Sequence, residues 1–211
     1  MPEYEIGLDL SRWDGKVTWS VLLGKKPGYI ILRSSYAGRV LDDLWLQDRH
    51  IVEKSGVTFG VYHVPSPDNS LHQETALLDV VIQNVITPEF VAFDLEIYHK
   101  ALPKRALDLA YNVMDNYNIP VFMYLNWDFR NQYTDQQFPS QLFSYPLWVA
   151  HWTTRAYPLL PKGWKDWVLW QFSANGNQKG LSWGVSARDI DINRTNPVYG
   201  SLANYLALRV K

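Results

Sequence analysis

Phe93-Asp94-Leu95-Glu96 closes an apolar run at residues 89–96 and sets two carboxylates two positions apart. In an extended strand, residues two apart point to the same side, so both carboxylates should face one way. Two like charges so close raise the pKa of one, which leaves a carboxylic acid near neutral pH beside an ionised partner. Cleavage of a glycosidic bond uses that combination. The acid protonates the leaving oxygen, and the negative charge stabilises an oxocarbenium-like centre. A lone D-x-E motif is weak, but other polar residues end similar runs: Asp9, Tyr124, Asn126, Trp152, Gln171, Asp191 and Asn193.

The elements that would position these groups are short and regular. Eight strand-length runs rich in Val, Ile, Phe, Tyr or Trp fall at residues 5–11, 29–35, 58–64, 89–96, 120–126, 146–152, 167–173 and 187–194. Three helical segments alternate with them at 42–54, 71–86 and 103–118, and a short apolar turn lies at 19–23. In the second helix the stripe reads Ala76, Leu77, Val80 and Val81, with Asp68, Asn69 or Ser70 as its N-cap. After Asn126 the connections are irregular. Strand–helix alternation predicts a mainly parallel sheet. The fold class expected is α/β: an irregular (β/α) TIM-like barrel of eight strands, with fewer helices in its second half. Its C-terminal strand ends should line one mouth, where converging carboxylates are costly to desolvate unless chemistry uses them.

Composition limits the alternatives. The chain of 211 residues fits a single catalytic domain spanning 1–211. Hydrophobic residues make up 47% and charged ones 19%, an ordinary globular balance. A net charge of -1 gives no bulk electrostatic ground for a nucleic-acid partner. With no cysteine there is no disulfide, thiolate metal site or cysteine nucleophile. His50, His63, His72, His99 and His151 form no H-x-x-x-H or H-E-x-x-H pair, so neither a metal nor another cofactor is expected. No G-x-S-x-G esterase elbow is present, and residues 176–180 lack the Gly-Lys-Ser/Thr ending of a phosphate loop. No classical signal peptide and no apolar run of membrane-spanning length is visible. Ten Trp and thirteen Tyr leave two readings open, an aromatic core or sugar-stacking platforms.

The ordered set of motifs carries a resemblance. Gly7-Leu8-Asp9-Leu10-Ser11 with Trp13 and Gly15, Gly60-Val61-Tyr62-His63, Phe93-Asp94-Leu95-Glu96, Pro120 through Tyr124, Pro146-Leu147-Trp148-Val149-Ala150, Trp170-Gln171 and Asp191-Ile192-Asn193 follow one another along the chain. In this order the chain resembles the glycoside hydrolase family 25 muramidases, the Chalaropsis-type lysozymes common among phage endolysins. The resemblance implies an irregular (β/α) barrel that cleaves the β-1,4 bond from N-acetylmuramic acid to N-acetylglucosamine in peptidoglycan. It implies Glu96 as general acid and Asp94 as the group that orients or stabilises the reacting centre. Asp9 and Asp191 would tune charge and position, and Arg33, Tyr62, Tyr124, Trp148, Trp152 and Gln171 would bind substrate. Three positions depart from the family's usual residues: Arg33 for Lys, Tyr36 for an acid, and His151-Trp152 for a polar-Tyr pair.

The partner expected is therefore the peptidoglycan glycan strand, at the bacterial cell wall. Without a signal peptide the protein would stay cytoplasmic until release by a holin-type system, or be part of a phage particle, with or without other modules. Two further readings stand beside this one. One is a non-catalytic glycan-binding or structural phage or cell-wall module that keeps the barrel. The other is a chitinase-like hydrolase of acetamido sugars.

Overall fold

The computed structural model describes residues 4–37, 40–83 and 87–209. Among these residues nine strands form one sheet: β1 Ile6–Leu10, β2 Tyr29–Tyr36, β3 Val40–Leu41, β4 Thr58–Val64, β5 Phe90–Asp94, β6 Val121–Asn126, β7 Leu147–Ala150, β8 Leu169–Ser173 and β9 Asp191–Thr195. Pairing runs β1-β9-β8-β7-β6-β5-β4-β2, and β1 also pairs with β2, so eight strands close a barrel. The two-residue β3 is a hairpin partner of β2, outside that ring. Helices α1 Trp19–Gly24, α2 Asp43–Ser55, α3 Leu71–Gln83 and α4 Leu102–Tyr117 belong to the first half. The connections that join β6, β7, β8 and β9 carry short 3-10 turns in place of α-helices, and α5 Leu202–Ala207 follows β9.

The ring is mixed, not wholly parallel. β1, β2 and β4 to β8 run parallel to one another, while β9 is antiparallel to both β1 and β8. The expected eighth strand at 187–194 therefore begins later, at Asp191, and runs the other way. Asp191 stands at the mouth because it opens a reversed strand, and its register partner across β1 is Asp9.

Alternation along each strand sorts two cores. Leu8, Leu10, Ile30, Leu32, Val61, Val91, Phe93, Met123, Leu125, Val149 and Trp170 face outward into the layer under the helices. Tyr29, Ile31, Phe90, Ala92, Phe122, Tyr124, Trp148, Ala150 and Leu169 fill the inside. Two inner positions need glycine. A Cβ on Gly7 would lie 2.2 Å from the Tyr29 ring, and one on Gly60 would lie 2.2 Å from the Phe90 ring. Leu202, Tyr205 and Leu206 of α5 join the inner cluster, and Tyr205 meets Phe122 edge-on at 5.9 Å. The helix thus plugs the end of the barrel opposite the carboxylates.

Helix ends follow local chemistry. Asp42 caps α2, accepting from the Leu44 amide at 3.0 Å, and the helix ends at Gly56 with φ 72°. Ser70 and Gln73 exchange capping bonds at the start of α3. Gln83 ends that helix, and the expected continuation through 84–86 lies outside the described residues. Its buried residues are Glu74, Leu78, Val81 and Ile82, so the expected stripe is rotated. Glu74 goes inward because it pairs with Arg105 of α4 and lies 3.6 Å from His63 Nε2, which offsets its desolvation. His63 faces outward, with Nδ1 2.9 Å from Ser35 Oγ, and takes no place at the mouth.

Candidate active site

Asp9, Tyr62, Asp94, Glu96, Tyr124, Trp148, Trp152, Gln171, Ala174 and Asp191 line one depression of about 350 Å³ at the mouth of the barrel. All four carboxylates from the sequence reading lie in this wall, as do five of the six residues expected to bind substrate. The sixth, Arg33, lines an adjoining depression of about 270 Å³ that shares Tyr62, Ala174 and Asp191 and adds Trp13 and Asp14. Arg33 is tied to Asp42, with Nε donating to Oδ2 at 2.7 Å, and its guanidinium stacks on Tyr36 at 5.2 Å.

The acidic pair does not share a strand. β5 ends at Asp94, which is buried, whereas Glu96 stands two residues beyond it at the rim. The Leu95 amide still donates to Tyr124 O at 2.8 Å, which carries the extended course past the strand end. Trp152 likewise lies beyond β7, which stops at Ala150.

Below the rim, hydrogen bonds tie these side chains together. Gln171 Nε2 donates to both oxygens of Asp9, at 3.3 and 3.1 Å. Asn193 Nδ2 donates to Asp9 Oδ2 at 2.6 Å, and Trp148 Nε1 donates to Asn193 Oδ1 at 2.7 Å. Gln171 Oε1 accepts from Trp152 Nε1 at 3.1 Å and from the Tyr124 hydroxyl at 3.0 Å. The same hydroxyl lies 3.3 Å from Glu96 Oε1. Asp94 Oδ1 is buried and accepts no hydrogen bond from the described residues. An unsatisfied carboxylate oxygen in this position is expensive, so the group is either protonated or kept for a ligand.

Electrostatics follow from burial. Desolvation pushes Asp9 from the ordinary 3.8 up to about 7, although its two amide donors pull the other way. Desolvation, reinforced by the charge of Asp9, raises Asp191 to about 9. Asp94 goes well above the usual carboxylate range through desolvation and then the nearby Glu96 and Asp9 charges. Glu96 keeps part of its surface in solvent, yet the surrounding wall desolvates its carboxyl enough to raise its pKa. The four acids titrate as one cluster that holds protons near neutral pH.

The aromatics divide between floor and rim. Trp148 is 1% exposed and forms the floor, edge-on to Tyr62 at 6.1 Å and tilted against Tyr124 at 4.5 Å. Such a ring offers no face to a sugar. Trp152 is 56% exposed beside the acids, and Trp13 is 73% exposed at the adjoining depression. Most of the remaining tryptophans, among them Trp19, Trp45, Trp164, Trp167 and Trp170, are core.

Sequence reasoning did not assign roles to Asn193 and Asp42. Asn193 had a signal, since it lies two positions from Asp191 on one strand face. Asp42 had none, because an N-cap residue gives no indication that it also holds an arginine from another element. Asp9 does not cap the turn before Trp13. Ser11 and Asp14 do that through a capping box, which leaves the Asp9 carboxylate to the site. His151 Nδ1 accepts from the Leu159 amide at 2.9 Å. Among the described residues, no group of three or more His, Cys, Asp or Glu is placed to hold a metal ion.

Comparison with known proteins agrees with this architecture. Residues 8–181 match the model of the glycosyl hydrolases family 25. The chain is 25% identical to Lysozyme M1 of Streptomyces globisporus, over 96% of this chain and 70% of that protein. The bacterial lysozyme of Streptomyces coelicolor superposes with a TM-score of 0.78 at 21% identity, covering 99% of this chain and 98% of that one. The catalytic domain of an endolysin from bacteriophage P40 of Listeria monocytogenes gives 0.73 at 19% identity, with 100% of both chains covered. A family match across most of the barrel, from β1 past β8, places this chain in glycosyl hydrolases family 25.

Proposed function

We propose that the chain is an N-acetylmuramidase acting on the bacterial cell wall. It cleaves the β-1,4 bond between N-acetylmuramic acid and N-acetylglucosamine in peptidoglycan. The observation that carries this reading is one depression in which a rim carboxyl with a raised pKa, Glu96, stands above a buried carboxyl with a free oxygen, Asp94. Glu96 donates a proton to the leaving oxygen, as a general acid with a pKa nearer the working pH does best. Asp94 holds the reacting acetamido group or the positive centre that develops beside it. Asp9, which titrates near 7, adds negative charge that disfavours ionisation of Asp94, while Asp191, held near 9, keeps its proton and serves to position the site.

Tyr62 and Trp152 bound the sugar site with Gln171, Tyr124 beneath them and Trp148 as the floor, while Arg33 and Trp13 extend it on one side. Residues 1–211 act as one catalytic domain. Among the described residues no helix is long and apolar enough to cross a membrane, and a holin-type release system or a further module would bring the domain to its substrate.

Reduction of a peptidoglycan digest with borohydride tests the bond choice. New muramic acid reducing ends are expected. New glucosamine ends would mean a glucosaminidase, and an absence of new ends would support a glycan-binding module. Cleavage of unsubstituted poly-N-acetylglucosamine at a comparable rate would favour the chitinase-like reading.

A further inference from the structure

The hydrogen bonds below the rim have a direction, and two indoles set it. An indole N–H can only donate. The Gln171 atom 3.1 Å from Trp152 Nε1 must therefore be the amide oxygen, and the amide nitrogen is left facing Asp9. Trp148 orients Asn193 in the same way, with its nitrogen on Asp9 Oδ2. Protonation of Asp9 leaves this orientation unchanged, because the indoles impose it.

Tyr124 continues the chain. Its hydroxyl lies 3.0 Å from Gln171 Oε1 and 3.3 Å from Glu96 Oε1 but has one proton. The amide oxygen cannot donate, so the shorter contact is a hydrogen bond only when Tyr124 gives its proton to Gln171. Toward Glu96 the hydroxyl then presents a lone pair. That contact is favourable when Glu96 supplies the proton and repulsive when Glu96 is ionised.

We propose that Trp152, Gln171 and Tyr124 form a directional chain that keeps the proton on Glu96 in the resting enzyme. The proposal rests on Glu96 being the acid. Gln171 and Trp152 are positioning residues here, since they act through Tyr124. The other groups facing Glu96 are the carboxyls of Asp9, Asp94 and Asp191 and the Tyr62 hydroxyl, with Arg33 as the nearby cation acting on Asp94. The carboxylates favour a protonated Glu96 through charge, while the chain does so through hydrogen-bond polarity, and only the second depends on the Tyr124 oxygen.

The sign of one substitution separates these. Protein labelled with 13C at the glutamate side-chain carboxyl carbon is titrated by NMR, with the Glu96 signal assigned by its loss in Glu96→Gln. If Tyr124 accepts from Glu96, Tyr124→Phe removes a partner of the neutral acid and lowers the Glu96 pKa by roughly half a unit. Gln171→Met frees the Tyr124 proton to turn onto the carboxylate and lowers it further, by about one unit or more. The alkaline limb of the pH–rate profile moves to lower pH in the same order. A rise of the Glu96 pKa in Tyr124→Phe, or no change in either variant, overturns the proposal. Should Gln171→Met fail to fold, the sign in Tyr124→Phe still decides. The titration needs no turnover. A wild-type protein with the expected Glu96 behaviour but no new reducing ends would therefore sink the enzymatic reading and leave the hydrogen-bond chain standing.

Discussion

Glu96→Gln lowers turnover on purified peptidoglycan by about 1,000-fold while the protein stays folded. The amide keeps the shape of the side chain and its reach to the Tyr124 hydroxyl, but it has no acidic proton for the leaving oxygen. Glu96 stands at the rim beyond β5 and contributes no core packing, so thermal stability should change little. Substrate affinity should also persist, since the ring contacts and the three remaining carboxyls are untouched. Turbidity clearing of cell walls, measured beside a thermal unfolding curve, checks both halves. A folded Glu96→Gln protein that clears at near wild-type rate removes Glu96 from the chemistry.

Asp191→Asn raises stability, by an amount that depends on pH. The folded Asp191 carboxyl is held near 9 and that of Asp9 near 7, against an ordinary value of 3.8, so the folded state keeps protons that the unfolded chain releases. The stability this linkage brings is full below about pH 4 and is lost progressively as pH rises through 7 and then 9. Asp191 accepts no side-chain hydrogen bond from the described residues, so an amide there removes the titration without orphaning a donor that Asp191 held. Asp191→Asn and wild type should therefore unfold at similar temperatures near pH 4. By pH 9 the variant should be more stable, by on the order of a few kcal/mol. Activity should fall less than in Glu96→Gln, because Asp191 lines the site without supplying the proton. Parallel unfolding temperatures across this range, or a variant that loses stability at high pH, would contradict the burial of an uncompensated Asp191.

The sequence was most legible where period two was strict. Leu8 and Leu10 against Asp9, and Val91 and Phe93 against Ala92 and Asp94, show on sight which side chains face the helices and which face the axis. The same rule brought Asp9, Asp94 and Asp191 to one mouth, but for Asp191 the supporting reason was wrong. Alternation is blind to strand direction, and the extended run before Asp191 turned out to be turn, so nothing local showed that β9 is reversed. Had it been parallel, a carboxyl opening the strand would lie at the plugged end beside α5.

Helix faces were harder to read. Residues 76–82 of α3 form a nearly continuous apolar run, which allows more than one buried stripe. The stripe was settled by Glu74, whose partners Arg105 and His63 come from other elements. The aromatic load was likewise unreadable from composition. A tryptophan on an inner strand face can be floor or platform, and Trp148 became floor because it lies two residues before the end of β7 with Tyr62 and Tyr124 packed against it. Trp152, past the strand end, stayed open.

A crystal structure of Glu96→Gln with a peptidoglycan tetrasaccharide would test the central claim most directly. The account places the oxygen between muramic acid and glucosamine within about 3 Å of the side chain at position 96, with the acetamido group of the cleaved sugar facing Asp94 Oδ1. The alternative location is the groove of about 410 Å³ at the other end of the barrel, lined by Tyr111, Met114, Tyr145 and Arg209. Sugar bound there, or bound at the mouth with its glycosidic oxygens out of reach of position 96, would contradict it.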